Sequence, residues 1–298
     1  YSLLQRKQIK GVKKLKKKSN FSGQIGFVLA AAGSAVGVGN LWRFPYLVAR
    51  DGGGLFLIIY LVLVLTFGFT LLTTDIAIGR KTGQSAIKAY ETMRPGWKKL
   101  GFLTFLVPVL IMTYYAVIGG WILKYFIVFL TGASGDAAKD TYFTGFITNT
   151  SSVWFGLIFM FVTALIVYNG VEGGIERCSK FIMPVLLIMV VGIAVFSLTL
   201  KSKGADGVVR TGLDGLKVYL IPDVSGLTVS KFLQITLDAM SQLFFSLSVS
   251  MGIMITYGSY VKKEVDLNKS VAQIEVVDTA VAFLAGIMII PAIYVFSG

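Results

Sequence analysis

Seven long apolar runs, separated by short polar segments, dominate the pattern of hydrophobic and polar positions along the chain. Each run is near the length of about 20 residues that an α-helix needs to cross the hydrocarbon core of a bilayer. The pattern therefore predicts an all-α membrane protein with seven spans, numbered here in chain order as the first to the seventh span. They cover residues 24–47, 55–79, 100–130, 153–168, 179–200, 231–258 and 271–296.

The first span is interrupted by glycine. No ionisable side chain occurs between Phe21 and Trp42, yet Gly33, Gly37 and Gly39 crowd the middle of this run. Glycine weakens a helix and allows the backbone to approach a ligand closely. Because unwound backbone is tolerated at membrane depth only where it lines a cavity in the protein, we predict a broken helix beside a binding site.

The sixth span has a similar interruption, since the small hydroxyl residues Ser246, Ser248 and Ser250 lie in its middle. The first and sixth spans are five positions apart in the order of spans. Corresponding interrupted helices in two halves of a chain point to a transport site at the membrane midplane of an inverted-repeat carrier. We therefore expect the two interruptions to face each other across one site.

This scheme divides the chain into four segments. They are a basic cytoplasmic N-terminal segment at 1–20, a first five-helix repeat at 21–200, an outer loop at 201–230 and the start of a second repeat at 231–298. The chain begins with Tyr1 and stops within an apolar run. We expect a fragment of a longer membrane protein, whose remaining helices would pack against this one.

The positive charge of the chain is distributed unevenly between the ends of the spans. Charged residues are only 14 % of the sequence, and the net charge is +13. Lys and Arg concentrate in 6–18 and 80–99, whereas Lys139 is alone between the third and fourth spans. By the positive-inside rule the N-terminus is cytoplasmic, and the protein is a multi-pass protein of the plasma (inner) membrane. This uneven distribution of positive charge is better explained by insertion in a lipid bilayer than by binding to a nucleic acid.

The sequence gives no support for an enzyme. It has no histidine, and no nucleophile–base pair, metal cluster or phosphate-binding loop stands out. The glycine cluster does not follow a strand, so a dinucleotide site is not indicated.

Four polar side chains within the spans could hold a cation. Asn40 follows the first interruption, Ser246 and Ser248 lie in the second, and Asp278 lies inside the seventh span. A bare carboxylate near the bilayer centre is unfavourable by roughly 2.5 kcal/mol or more, so it needs a partner. A bound cation is the natural partner, unless Asp278 lies near the helix end and faces water.

Five blocks of sequence, found in one order over residues 21–296, resemble the neurotransmitter:sodium symporter family, the LeuT-fold carriers of amino acids and amines. This family is itself a type case for the inverted-repeat arrangement. The blocks are Gly33 to Asn40 with Leu41-Trp42-Arg43-Phe44-Pro45, Asp51-Gly52-Gly53-Gly54 with Phe56 and Tyr60, Tyr114-Tyr115, Gly174 with Pro184, and Gln242 to Gly252 with Ile255-Thr256-Tyr257. The resemblance implies a truncated LeuT-type inverted-repeat fold with broken first and sixth helices.

The resemblance also implies two sodium sites. The ligands of the first site would be Ala35, Asn40, Ser246 and Asp278, and this sodium would also touch the substrate carboxylate. Gly33 and Val36 would form one half of the second site, which is incomplete because its other ligands belong to the absent eighth helix.

The resemblance further assigns substrate-binding and gating residues. The substrate-binding set is Ser34, Ala35, Val38, Gly39, Tyr115, Phe245, Ser246, Ser248, Ser250 and Met251. Within it, Tyr115 would donate its hydroxyl to the substrate carboxylate, and Phe245 would be the outer lid. Arg43 and Gln242 would form the external gate.

Several residues depart from the family pattern. Asp75 stands where a glutamate is usual, and Asp278 stands where many members have asparagine. Tyr60, Gln242 and Ser246 resemble ligands of the chloride site, but Ala282 replaces its usual serine, so this site would be vestigial. The fixed charge of Asp278 could take the place of the anion beside a cation site, so chloride is predicted not to be required.

These features predict a sodium-coupled symporter of a neutral, hydrophobic or aromatic amino acid that works by alternating access. Ser34 stands where carriers of carboxylate-free amines usually have an acidic residue, and the flexible side chain of Met251 suits more than one substrate. Two alternatives stay open. One is a proton-coupled or sodium-independent carrier of the same fold, and the other is a non-transporting membrane subunit or inactive fragment.

Overall fold

The computed structural model describes residues 20–204 and 207–297. The predicted basic segment at 1–20 lies outside the described residues apart from Asn20. Within the described residues, five helices are long and apolar enough to cross a membrane. They are Gly54–Thr82, Lys98–Leu130, Ser151–Tyr168, Val171–Thr199 and Leu267–Ser297, and they correspond to the second, third, fourth, fifth and seventh spans.

The first span is broken, as its glycines predict. Helix Gln24–Ala35 ends at Val36, which has an extended backbone, and a π-helical turn at Gly39–Arg43 leads into helix Phe44–Arg50. The two halves of the span are bent by 53°. If this bent pair counts as one span, the described residues contain six spans by length and composition.

The sixth span is also broken, into helices Val229–Ser246 and Ile253–Gly258. Between them, Ser248 and Ser250 have left-handed φ values of 53° and 60°, and Gly252 has 73°. Neither half of this span is long and apolar enough by itself to count among the membrane-crossing helices, so a membrane crossing at this position stays a prediction. Its first half is amphipathic and carries polar residues on one face.

Short elements connect the spans. Helix Ala86–Met93 follows the second span, and helices Ser134–Ala137 and Asp140–Ile147 precede the fourth. The segment at 201–230 contains an antiparallel hairpin, whose strands Lys201–Lys203 and Val209–Thr211 pair, and helix Gly212–Leu220. This last helix packs against the seventh span, where the Tyr219 hydroxyl donates to the Phe283 carbonyl over 3.1 Å.

The core lies between the first, second, sixth and seventh spans. Phe44 is fully buried there, with ring centroids 5.0 Å from Tyr60 and 5.7 Å from Phe283. The fourth span has no buried residue and packs mainly on the third. The two broken spans therefore lie at the best-packed part of the described chain, where neighbouring spans can satisfy unpaired backbone.

Candidate functional site

The seventh span places a carboxylate between the two broken spans. The Asn40 amide nitrogen donates to Asp278 Oδ1 over 2.8 Å and to the Asp278 carbonyl over 3.1 Å. The Ser246 hydroxyl lies 2.9 Å from both carboxylate oxygens. All three residues are buried. These three residues are hereafter called the acidic cluster, and it brings Asn40 of the first span to Asp278, 238 positions further along the chain.

The acidic cluster contains a buried carboxyl group without an ion-pair partner among the described residues. Within residues 20–204 and 207–297, no Lys or Arg forms an ion pair with Asp278. Buried charges are normally paired or bind an ion, and oxygen ligands suit hard cations. The donor set of carboxylate, amide and hydroxyl oxygens is therefore chemically suited to a hard metal cation.

The backbone at the first break is held locally by Asn40. The Gly37 amide donates to Asn40 Oδ1 over 3.1 Å, and the Asn40 amide donates to the Gly37 carbonyl over 3.1 Å. The Asn40 side chain thus accepts a hydrogen bond from the Gly37 amide through its oxygen and donates to Asp278 through its nitrogen. This geometry couples the position of the unwound backbone to the acidic cluster.

A cavity of about 280 Å³, hereafter the first cavity, lies beside both breaks. Its walls come from the first, third and sixth spans. The lining residues are Gly33, Ser34, Ala35, Val36, Gly37, Gly39, Pro108, Ile111, Met112, Tyr115, Phe245, Ser246, Ser248, Met251 and Ile253. This volume, at the low end of small-molecule sites, and the mixture of backbone, hydroxyl and apolar groups fit a small amphipathic molecule.

Two aromatic side chains stand at one side of the first cavity. The ring centroids of Tyr115 and Phe245 are 6.3 Å apart, and those of Tyr114 and Tyr115 are 5.1 Å apart. A Cβ atom built on Gly39 would lie 2.9 Å from Phe245 Cδ1. The Phe245 ring therefore rests directly on the backbone of the first break, and only glycine at position 39 leaves room for it.

Arg43 and Gln242 form a polar layer next to Phe245. Arg43 Nη1 donates to Gln242 Oε1 over 3.2 Å, and Arg43 Nη2 donates to the Ser241 hydroxyl over 2.9 Å. Gln242 in turn donates to the Gly39 carbonyl over 3.0 Å. The Arg43 guanidinium lies 5.8 Å from the centroid of the Phe245 ring. These bonds tie the two broken spans together on this side of the first cavity.

The residues predicted as a vestigial chloride site lie deep in the core. Tyr60, Gln242, Ser246 and Ala282 are all buried. The Tyr60 hydroxyl has no hydrogen-bond partner among the described residues. The polar side-chain atoms of Gln242 and Ser246, however, already form the hydrogen bonds to Arg43, Gly39 and Asp278 described above.

Not all predicted substrate residues reach the first cavity. Val38 lines a separate apolar cavity of about 870 Å³ between the first, third and seventh spans. Ser250 is exposed, and its amide donates to Asp75 Oδ2 over 2.8 Å. Of the predicted sodium residues, Gly33 packs near Ser179, and Val36 packs against Met183 of the fifth span.

Sequence reasoning missed five residues that line the first cavity: Gly37, Pro108, Ile111, Met112 and Ile253. Three of them could have been found. Pro108, Ile111 and Met112 precede Tyr115 by seven, four and three positions, which places all four on one face of a helix. The contact between Asp75 and Ser250 gives no such signal, since 175 positions separate the two residues.

Comparisons with known proteins agree with this architecture. The model of the sodium:neurotransmitter symporter family matches residues 18–145 and 139–297. An uncharacterized sodium-dependent transporter of Bacillus subtilis, YhdH, is 35 % identical over 282 residues, covering 93 % of this chain and 60 % of the relative. The human sodium- and chloride-dependent taurine transporter is 27 % identical over 318 residues, covering 91 % and 49 %.

A solved structure is similar as well. The crystal structure of MhsT in complex with L-phenylalanine has 38 % sequence identity and a TM-score of 0.81, and the match covers 94 % of this chain and 62 % of MhsT. The chain thus spans about three fifths of the length of YhdH and of MhsT. On these matches, the chain is a multi-pass membrane protein of the LeuT fold and belongs to the sodium:neurotransmitter symporter family, whose members are secondary transporters and not enzymes.

Proposed function

We propose that this chain supplies the central binding region of a sodium-coupled symporter for a neutral, hydrophobic or aromatic amino acid. The observation that carries the proposal is the acidic cluster beside two broken helices. In such carriers, half-helix ends and unwound carbonyls hold an anionic substrate group and its coupling ion together. Family membership and the phenylalanine bound to MhsT support the same assignment.

Sodium would bind at the acidic cluster. Asn40, Ser246 and Asp278 would provide side-chain oxygens, and Ala35 would provide its carbonyl. Occupancy by a cation would balance the Asp278 charge, which has no ion-pair partner in the described part of the chain. A second sodium would bind near Gly33 and Val36, with its remaining ligands supplied from outside this sequence.

The amino-acid substrate would occupy the first cavity. Its carboxylate would meet the first sodium and the Tyr115 hydroxyl, and its head group would meet the backbone at Ser34, Ala35 and Gly39. Phe245 and Ser248 would contact it from the sixth span. The apolar wall formed by Ile111, Met112 and Met251 favours a hydrophobic side chain over a charged one, because a charged group would be desolvated there without a partner.

Alternating access would involve the polar layer of Arg43 and Gln242 as the external gate. These two residues join the broken spans beside Phe245, so parting them would expose the first cavity from that side. The uneven distribution of Lys and Arg supports a cytoplasmic N-terminus in the plasma (inner) membrane. On this assignment residues 21–200 form the first repeat, 201–230 the outer loop and 231–298 the start of the second repeat.

The test is binding of labelled L-phenylalanine to the gene product, meaning the complete polypeptide encoded by the gene that contains this sequence. In proteoliposomes at fixed pH, we expect saturable binding and uptake in sodium and none when potassium replaces sodium. Uptake that follows a proton gradient equally well in potassium would favour a proton-coupled carrier, with Asp278 as the proton site. Absence of amino-acid binding in every cation would contradict the proposal.

A further inference from the structure

A further carboxyl group is buried in the seventh span, outside both the acidic cluster and the first cavity. Glu275 is 6 % exposed, and it precedes Asp278 by three positions. Its side chain points towards the second span, where a Cβ atom built on Gly68 would lie 2.7 Å from Glu275 Oε1. Glycine at position 68 therefore leaves room for the carboxyl group between the two helices.

Glu275 and Thr279, one helical turn apart, both lack polar partners. Glu275 Oε1 and the Thr279 hydroxyl have no hydrogen-bond partner within residues 20–204 and 207–297, and no Lys or Arg there forms an ion pair with Glu275. In the second span, by contrast, the hydroxyls of Thr66, Thr70 and Thr74 each donate to the carbonyl four positions earlier. Such back-bonding commonly satisfies a helical threonine. The Thr279 hydroxyl is therefore available to a ligand.

The two unpartnered side chains line one cavity. This cavity, hereafter the lateral cavity, has a volume of about 490 Å³ and lies between the second and seventh spans. Among the described residues that line it, Glu275 and Thr279 alone have polar side chains. The opposite wall includes the π-helical turn Val64–Gly68. Because π-helical turns within α-helices occur frequently at functional sites, this wall also indicates a binding site.

The chemistry of the lateral cavity favours a monovalent metal cation. Buried charges are normally paired or bind an ion, and carboxylate and hydroxyl oxygens suit hard cations. Residues three positions apart are neighbours on a helix, where like charges repel, and Glu275 and Asp278 interact electrostatically. A cation beside Glu275 would remove this repulsion. A single carboxylate balances one positive charge, whereas calcium takes about six to eight oxygen ligands, which the apolar walls do not offer.

We propose that Glu275 and Thr279 hold a monovalent metal cation in the lateral cavity, at a site separate from the acidic cluster. The inference goes beyond the proposed function, because neither of the two proposed sodium ions uses these residues. Glu275 supplies its carboxylate, Thr279 supplies its hydroxyl, and water in the lateral cavity completes the ligand shell. Sodium and potassium share this chemistry, so the experiment has one arm for each.

The experiment counts the cations bound to the purified gene product in detergent, without substrate. Equilibrium dialysis uses radioactive sodium in one arm and radioactive rubidium, a potassium analogue, in the other. We expect Glu275→Gln to bind one cation fewer per protein molecule in at least one arm, and that arm identifies the ion. Sodium-dependent L-phenylalanine binding should stay within about twofold, because the carboxylate and its cation are lost together and the net charge beside Asp278 is unchanged.

Three further variants sharpen the test. Glu91→Gln is the matched control, since this carboxylate is exposed on helix Ala86–Met93 and its loss should leave the cation count unchanged. Thr279→Val keeps the shape of the side chain and removes the hydroxyl, so cation affinity should weaken by up to about tenfold. Gly68→Ala should also weaken it, because the added Cβ atom displaces the Glu275 carboxyl group.

The outcomes separate this inference from the proposed function. An unchanged cation count in Glu275→Gln, in both arms, would mean that no metal ion binds there, and the proposed function would stand. A correctly folded Glu275→Gln variant that loses as much L-phenylalanine binding as Asp278→Ala would place Glu275 in the acidic cluster and contradict a separate site. If the unmodified protein binds no amino acid in sodium, the proposed function fails, and the cation count, measured without substrate, still decides this inference.

Discussion

The fourth span and the two broken spans differ in how their backbone N–H and C=O groups find hydrogen-bond partners. Helix Ser151–Tyr168 is unbroken and has no buried residue, and the Thr163 hydroxyl donates back to the Phe159 carbonyl of its own helix. The first and sixth spans are unwound at residues 36–37 and 247–252. Side chains supply partners to the backbone at or beside these segments, since Asp75 of the second span accepts from the Ser250 amide and Gln242 of the sixth span donates to the Gly39 carbonyl.

The difference shows where a binding site can form in an apolar chain. A helix that faces lipid must satisfy every backbone group within itself, since no water is present to do so. A helix surrounded by other helices can leave backbone groups unpaired and offer them to a solute. Matched substitutions in the fourth span and in the broken spans should therefore have different effects on binding.

The largest effect is expected at the acidic cluster. Asp278→Ala removes the carboxylate that accepts from Asn40 and Ser246, and it leaves both donors buried without their partner. A hydrogen bond to a charged group contributes about 1.5–3 kcal/mol, which corresponds to about 10- to 100-fold in an equilibrium constant. Because the carboxylate is also the proposed sodium ligand, sodium-dependent L-phenylalanine binding should fall about 100-fold. Equilibrium binding over a sodium titration measures this loss.

Thr163→Ala is the matched control in the fourth span. Its hydroxyl bonds only to its own helix, so binding should stay within about twofold of the unmodified protein, since such back-bonds are neutral to slightly unfavourable. Equal losses in the two variants would mean that the acidic cluster has no special role.

A smaller effect is expected from Gly39→Ala. The new Cβ atom would lie 2.9 Å from Phe245 Cδ1, so the ring must shift away from the first cavity. We expect about tenfold weaker substrate binding, equivalent to about 1.4 kcal/mol. Isothermal titration of L-phenylalanine in saturating sodium measures it.

Gly156→Ala is the corresponding change in the fourth span. There the nearest atom to a new Cβ is the Ala116 carbonyl oxygen at 3.6 Å, which is an ordinary contact. Binding should therefore be unchanged. If Gly39→Ala behaves like Gly156→Ala, the Phe245 ring does not act as a lid over bound substrate.

The left-handed conformation of Ser250 gives a stability prediction. A β-branched residue is strained at φ 60°, so Ser250→Val should destabilise the protein by about 1–2 kcal/mol. Ser250→Gly should be neutral or slightly stabilising, because relief of strain opposes the greater entropy of the unfolded glycine. Thermal unfolding in detergent compares the variants. A more stable valine variant would contradict the break at this position.

The smallest effect is expected from removal of chloride. The Asp278 carboxylate already supplies negative charge next to the proposed sodium, and Ala282 offers no hydroxyl to an anion. Replacing chloride by gluconate should therefore change sodium-driven uptake by less than about twofold. Uptake that requires chloride would show that the buried Tyr60 hydroxyl belongs to a working anion site.

Much of the fold could be predicted from the sequence because the relevant signals are local. Apolar runs place the spans to within a few residues, apart from the fifth helix, which starts eight residues earlier with a π-helical turn at Val171–Glu176. Glycine and serine clusters indicate both breaks. Helix Val229–Ser246 is not among the helices apolar enough to cross a membrane, and its buried residues include the polar Gln242 and Ser246.

The candidate site was less predictable because unwound backbone has no periodicity. Val38 follows the break at Gly37, so no helical spacing indicates which way its side chain points, and it lines the large apolar cavity. Left-handed turns at Ser248 and Ser250 send neighbouring side chains to different sides, which leaves Ser248 in the first cavity and Ser250 exposed. The hydrogen bond from the Ser250 amide to Asp75 is a tertiary contact that the local sequence does not indicate.

Hydrogen exchange at the backbone amides shows whether the segments at the two breaks bind solute. In detergent with potassium, amides at 36–40 and 247–252 should exchange much faster than those at 155–165 in the fourth span. Adding sodium with L-phenylalanine should protect both segments together and leave the fourth span unchanged. Amides at 36–40 and 247–252 that are already as protected in potassium as the fourth span, with no response to sodium and L-phenylalanine, would contradict the account.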